Sequence, residues 1–398
     1  MVKGPLLNQL RVTKKMWNIG YKKEMAIDEV SNILRKLRIP TALTITPINL
    51  DEEKKKFLDS NTYNPQFKYN IRPNSNDSVF KELSNVVKIT GVDKRISDFY
   101  IQLIKEKKMA SEYLKVVGNN KLFSERTKEY FGAISPKLYR NACLVLKRKV
   151  SKYKLIDSKS DSKLLQYPEI KKAIELTLKE LGLSDWIVKE SLNIAKNGMK
   201  TAPKSKEILL DKNIKRSSLL LKKSIIHEIG THVLRSYNGV NSGVPALYNT
   251  NIRSYLDIEE GLALYNEEYM NVLTYDYLKH RALLVYAIYI GEQLSFRLLF
   301  EILRGFCKPI EAFDITYRVK RGLSDTSKPG IYPKDAAYFR GFRKVRKAIK
   351  NDSSLYSKLY SGKIDLEMIN WVDEGVIRKA EIVPSKELFD TIFQKIGL

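Results

Sequence analysis

Two of the three histidines in this chain, His227 and His232, flank a glutamate inside one apolar stretch, SIIHEIGTHVLRSY at 224–237. Apolar residues at Leu220, Leu221, Ile225, Val233 and Leu234 recur at helical spacing. Ser217 or Ser218 supplies an N-cap, and Asn238-Gly239 supplies an end. At about 100° per residue, positions five apart diverge by roughly 140°, whereas positions four apart diverge by roughly 40°. Both imidazoles can therefore face one point only if the helix is widened by a residue. Wide turns with i to i+5 hydrogen bonds do this and concentrate at functional sites. Gly230 lowers the cost of such a distortion and is a poor choice for a plain structural helix. The segment thus predicts a widening around Ile229–Thr231, the alternative being two core histidines with satisfied nitrogens.

Two neutral imidazoles on one helix can hold zinc, while an adjacent carboxylate, here Glu228, takes a proton from water polarised by the ion. The spacing is H-E-x-x-x-H, one residue longer than the usual H-E-x-x-H. Catalytic zinc sites commonly add a carboxylate and leave the fourth position to water. DIEEGLALYNEEY at 257–269 offers Glu259 or Glu260 on a second helical stretch. Glu260, Ala263, Leu264 and Glu267 fall on one stripe, although Glu267 and Glu268 also read as a solvated acidic face. The small Gly261 and Ala263 would let this helix approach the first.

Together, HEIGTH at 227–232 and EGLA at 260–263 resemble the microtubule-associated tyrosine carboxypeptidases and their prokaryotic relatives. The resemblance extends to YNPQFKY at 63–69, YRVKRGLSDTSKPG at 317–330 and KDAAYFRG at 334–341, and covers most of the chain from about 45 to 350. One departure is Pro333, which stands where the family pattern has a threonine before the lysine. The resemblance selects Glu260 over Glu259 as third ligand beside His227 and His232, with one zinc ion and Glu228 as general base. It implies a zinc metallocarboxypeptidase that removes a C-terminal residue, aromatic by expectation (tyrosine or phenylalanine), from a peptide or protein tail. A cation must then meet the substrate's terminal carboxylate. Arg318, Lys320, Arg321 and Lys334 are the candidates, against the alternative of a solvated basic loop, and Tyr317 and Tyr338 are candidate donors to the oxyanion or else core residues.

The fold class expected is α+β, mainly helical, with a zincin-like metallopeptidase core, a small sheet and an N-terminal helical region. KYKLIDSKSDSK at 152–163 is the most linker-like stretch, dividing an accessory region at 1–157 from a catalytic domain at 158–398. The net charge of +26 favours an acidic tail as partner. It also keeps open a second reading, a basic binding or regulatory protein with a structural or inactive metal site, nucleic acid being another polyanion to which such a charge is drawn. Two cysteines, no N-terminal apolar run and a longest apolar segment of ten residues (282–291) point to the cytoplasm and away from a membrane. That segment is expected to be a helix buried behind the metal site.

Residues 1–24 read as a basic arm or a docked strand. Further expectations are a helix at 25–37, an extended stretch at 41–50, a short helix at 51–59, and helices from 78 to 146 broken near Gly91, Gly118 and Ser135-Pro136. After a helix at 167–181, strands are expected near 186–189, 194–198 and 207–210. A loop at 240–256 and further helices at 276–305 and 335–350 complete the reading.

Overall fold

The computed structural model describes residues 23–71, 76–157, 164–192, 198–250 and 252–398; most of the expected N-terminal arm and half of the linker lie outside the described residues. The chain forms two compact units, Met1–Arg38 with Asn74–Lys108 and Ile39–Pro73 with Met109–Leu398, so the expected accessory region 1–157 is shared between them. The protein is mainly helical with small sheets, an α+β arrangement.

In the first unit, strand β1 (Lys23–Ala26) runs straight into helix α1 (Ile27–Lys36), which buries Val30 and Ile33. β1 pairs in parallel with β2 (Val86–Thr90). That second strand falls inside the stretch expected to be helical, and its sequence VVKIT shows why: β-branched side chains lose rotamer freedom in a helix and suit a pleated surface.

In the second unit, the expected extended stretch at 41–50 begins instead with a short helix, Thr41–Ile45. Thr44 and Thr46 return their hydroxyls to the carbonyls of Pro40 and Ala42 at 3.0 and 2.6 Å, which favours the turn over a strand. The helix Leu50–Leu58 follows, and YNPQFKY is anchored by Phe67, which is buried, and by Tyr63, whose hydroxyl donates to Glu53. Ser135 caps the helix Pro136–Leu146, with proline at its first position.

Helix α2 (Tyr167–Glu180) precedes a three-stranded sheet of β3 (Ile187–Glu190), β4 (Met199–Ala202) and β5 (Glu207–Leu210) in the order β3-β5-β4. β5 is parallel to β3 and antiparallel to β4. The strand expected at 194–198 is displaced to β4, residues 193–197 being outside the described set. Then come α3 (Ser218–His227), a widened turn (Glu228–Val233) and α4 (Leu234–Asn241), one continuous helical run. α5 (Arg253–Tyr269), α6 (Tyr275–Gly291), α7 (Pro309–Lys320) and α8 (Ala336–Asn351) build the main core. The expected loop at 240–256 contains a short 3₁₀ turn, Pro245–Tyr248.

α6 is apolar nearly all round because it is surrounded, burying Ala282 to Val285 and Ala287 among residues of α7, α8 and the helix Pro136–Leu146. Among the described residues no helix is long and apolar enough to cross a membrane. α5 and α8 cross at two glycines. A Cβ on Gly261 would stand 2.2 Å from the Gly341 carbonyl carbon, and one on Gly341 would stand 1.8 Å from the Asp257 oxygen. The small residue beside Glu260 thus serves contact with α8, not with the histidine helix as expected, because at this crossing the two backbones touch.

Candidate metal centre

Ser217 starts the histidine helix by accepting from the Leu220 amide, and Leu221, Ile225, Ile226, Ile229, Val233 and Leu234 bury its apolar side completely. The helix widens across Glu228–Val233, where the Leu234 amide reaches back five residues to the Ile229 carbonyl. The imidazole centroids of His227 and His232 consequently lie 5.0 Å apart. Gly230 is not among the glycines with positive φ, and the space it leaves is used by Phe389, whose Cζ would be 3.2 Å from an added Cβ.

Glu260 on α5 completes the group. Its Oε2 lies 3.6 Å from His227 Nε2 and 3.9 Å from His232 Nε2, and the three ligand atoms are all within 4.8 Å of one another. Ligands at about 2.1 Å around a tetrahedral ion would be separated by about 3.4 Å. The spacing therefore leaves room for an ion with little adjustment. Glu260 Oε2 is buried and has no hydrogen-bond partner, a cost that a cation would remove.

The other imidazole nitrogens are both engaged. His227 Nδ1 lies 2.8 Å from Glu267 Oε1, and His232 Nδ1 lies 2.7 Å from Glu259 Oε1. Each Nδ1 is thereby taken by a carboxylate and each Nε2 is turned toward Glu260, the usual arrangement behind a metal-binding histidine. Burial works to raise the Glu259 carboxyl, but Lys363, Arg235 and His232 hold it well below the usual carboxylate range. Burial likewise works against charging His227, and Glu260 and Glu267 outweigh it, raising that imidazole well above its ordinary value. Glu267 and Glu268 are both buried, which corrects the solvated-face reading: they share the inward stripe with Glu260, and Arg346 neutralises Glu268. His280 is elsewhere, 3.2 Å from Glu311.

Glu228 follows His227 and turns toward the sheet. The Thr201 amide and hydroxyl donate to its Oε2 at 2.9 and 2.7 Å. The Thr201 amide points away from β5 to Glu228, and among the described residues no strand pairs with that side of β4. That edge, residues 198–204, forms one wall of a cavity of about 640 Å³ whose other walls include His227, Glu228, His232, Glu260, Tyr338 and Lys363. Ala42, Ile252, Tyr255 and Leu256 add apolar lining.

The remaining sequence candidates separate. Tyr338 lines the cavity; its phenol is pushed well up by burial and by Glu260, and the Arg281 guanidinium stacks 4.0 Å from its ring. Lys334, in a 3₁₀ turn opened by Pro333, makes no ion pair among the described residues and lies close enough to Glu260 to feel its charge. Burial, with Arg321 next, draws the Lys334 ammonium down. Arg318 forms a two-pronged pair with Asp335 at 2.8 and 2.9 Å, and Arg321 approaches the same carboxylate at 3.5 Å.

Of the six candidates Tyr338 alone lines the cavity, and two of the others lie in the core. Tyr317 packs edge-on against Phe67 at 5.8 Å in the core. Lys320 is fully buried, its Nζ donating to the carbonyls of Gly291, Leu294 and Gly330, and burial lowers it to about 7. It is neither a substrate cation nor part of a solvated loop, because all three of its donors are spent on main chain. The orienting carboxylates Glu259 and Glu267 were visible in sequence as extra acids in the Glu260 segment. Thr201 and Lys363 gave no signal, since distant segments bring them in, and Arg235, on the histidine helix itself, gave none because its partners Glu259 and the carbonyls of Leu359, Gly362 and Ile364 are distant.

Fold and site together define a mainly helical α+β protein with a two-histidine, one-carboxylate centre at the foot of a cleft. The chain belongs to the microtubule-associated tyrosine carboxypeptidase family, whose model matches residues 55–392. Among curated relatives, a mouse protein named "Putative tyrosine carboxypeptidase MATCAP2" is 26% identical over 380 residues, covering 90% of this chain and 60% of its own. Mouse microtubule-associated tyrosine carboxypeptidase 1 is 25% identical over 313 residues (76% of this chain, 56% of its own), and the human protein of that name is 34% identical over 126 residues (30% and 26%). The chain thus spans at most about 60% of the length of these relatives.

Proposed function

We propose that this protein is a zinc-dependent carboxypeptidase that removes a C-terminal aromatic residue, tyrosine or phenylalanine, from a peptide or protein tail. The observation that carries the reading is the convergence of His227 Nε2, His232 Nε2 and Glu260 Oε2, with both Nδ1 atoms already held by carboxylates. His227, His232 and Glu260 would hold one ion. Zinc, when bound, supplies Lewis acidity toward water and the scissile carbonyl.

The chain's own groups do the rest. Glu228, held through Oε2 by Thr201, keeps Oε1 for a proton taken from the attacking water and later given to the leaving amine. The outward edge of β4 can pair with an extended tail, as in strand-addition recognition of peptides. This use of an edge strand beside a histidine helix is the basis for calling the core zincin-like. Tyr338, kept protonated, can donate to the oxyanion. Lys334 stands outside the cavity lining but feels the charge of Glu260 and, among the described residues, makes no ion pair; it is the sequence candidate assigned to the terminal carboxylate, with Arg318 and Arg321 held on Asp335. The apolar lining from Ile252, Tyr255 and Leu256 suits an aromatic side chain, and Lys200 and Lys204 in the same lining suit an acidic tail.

In this reading residues 158–398 are catalytic and 1–157 accessory, with Ala42 reaching the cleft wall from the latter. A cytoplasmic setting fits Cys143 and Cys307, which are both free thiols. The test is mass spectrometry of peptides ending in tyrosine, as free acid and as amide, incubated with zinc-loaded protein. Loss of one residue from the acid only is expected; internal cleavage, or no cleavage of any peptide, overturns the proposal.

A further inference from the structure

The chain beyond α8 returns to the histidine helix, and residues 359–364 meet it at two points. The first is the widened turn itself. Tyr360 is fully buried, its hydroxyl donates to the Gly230 carbonyl at 2.8 Å, and it accepts from Asn266 Nδ2 at 2.6 Å. Asn266 also donates to Thr231 Oγ1 at 2.6 Å, and Thr231 passes its proton to the Ile226 carbonyl at 3.2 Å, five residues back. In a regular helix the Ile226 and Gly230 carbonyls would be taken by the amides of Gly230 and Leu234. The Leu234 amide goes to Ile229 instead. Tyr360 therefore occupies the Gly230 carbonyl, whose ordinary partner the widening diverts, while Thr231 adds a hydroxyl to the Ile226 carbonyl, and both hydrogen bonds compete with a return to a regular helix.

The second point is the support of His232. Arg235 is fully buried, donates to the carbonyls of Leu359, Gly362 and Ile364 at 3.0, 3.1 and 2.6 Å, and pairs with Glu259 Oε2 at 2.5 Å. Lys363 Nζ donates to Glu259 Oε1, the oxygen that also receives His232 Nδ1. Two cations tied to this segment thus fix the carboxylate that fixes the imidazole.

We infer that residues 359–364 are a clasp for the metal site, with Tyr360 holding the turn in its widened form and Lys363 aiming His232 through Glu259. Both are positioning residues, and the inference rests on the proposed metal site. Removing an outer partner of a metal-binding histidine typically costs 10–100-fold in affinity, which gives the expected scale.

The test uses the full chain with Tyr360→Phe, Lys363→Met and Lys363→Arg. Zinc affinity is measured by chelator competition, the visible spectrum is recorded after loading with divalent cobalt, and melting is followed without metal. The clasp predicts that Tyr360→Phe and Lys363→Met each weaken zinc binding by about tenfold or more and change the cobalt bands, while Lys363→Arg keeps both near wild type. Variants that bind zinc within about twofold of wild type, with an unchanged cobalt spectrum, overturn the clasp whatever happens to melting. If Tyr360→Phe does not fold, the Lys363 pair alone decides between these results. Failure of the wild-type chain to take up either metal would overturn the metal site and the clasp with it, whereas losses confined to the variants isolate the clasp.

Discussion

Gly261 and Gly341 touch through their backbones, so that α5, carrying Glu259, Glu260 and Glu267, is pressed onto α8 with no space for a methyl group. Because Glu260 adjoins the contact, the position of the third ligand depends on it. Gly261→Ala would place Cβ 2.2 Å from main-chain carbon, which only separation of the helices can relieve. A loss of about 1–3 kcal/mol or more is expected from overpacking, together with weaker zinc uptake. Gly230→Ala would meet only the Phe389 ring, at 3.2 Å, and should cost less. Chemical denaturation of the two variants checks the order, and the reverse order would refute the backbone crossing.

Metal content separates ligands from bystanders. His227→Ala, His232→Ala and Glu260→Ala should each lose zinc, whereas His280→Ala, whose ring sits beside Glu311, should retain it. Elemental analysis after dialysis measures this directly. Equal retention in His232→Ala and His280→Ala would remove the basis for the site.

Lys320 tests a buried charge with no role in the cleft. In Lys320→Met the Gly291 carbonyl keeps the Leu294 amide at 3.3 Å, but the Leu294 and Gly330 carbonyls lose the ammonium, and an unpaired buried carbonyl costs about 1–3 kcal/mol. The variant should be less stable by about 2 kcal/mol or more, by urea denaturation at neutral pH. Any protein that still folds should keep its zinc, since Lys320 does not touch the centre.

How much of this was legible in the sequence follows from how local each cause is. The widened turn could be read from angular arithmetic, since only a bulge aims residues five apart at one point, and Glu228–Val233 contains the expected Ile229–Thr231. β5 was found at its expected residues, Glu207–Leu210, because the strand is short, apolar and bounded by turns. Glu267 lay on the stripe with Glu260, but its task beside His227 depends on how two helices meet. Lys320 looked like any lysine in a basic segment; its burial is decided by carbonyls at 291, 294 and 330, which no periodicity records. Tyr360 and Lys363 reach the site from more than 90 residues beyond Asn266 and Glu259, in a region without a motif.

Glu228 separates chemistry from architecture. It is bound by Thr201 through one oxygen, so Glu228→Gln can keep both hydrogen bonds by presenting its amide oxygen to the Thr201 amide and hydroxyl. What the amide cannot do is accept a proton from water. Metal content and melting temperature should therefore remain near wild type, because neither the three ligands nor the contact with β4 is altered. Release of a C-terminal tyrosine or phenylalanine should fall by about 10²–10⁴-fold, the contribution of a positioned general base. Thr201→Val gives the complementary result: Glu228 keeps its charge and its bond to the main-chain amide but loses the hydroxyl at 2.7 Å, so turnover should fall far less. If the glutamine variant releases the terminal residue as fast as wild type, Glu228 is not the base, and its place beside β4 is structural even in a protein that holds its zinc.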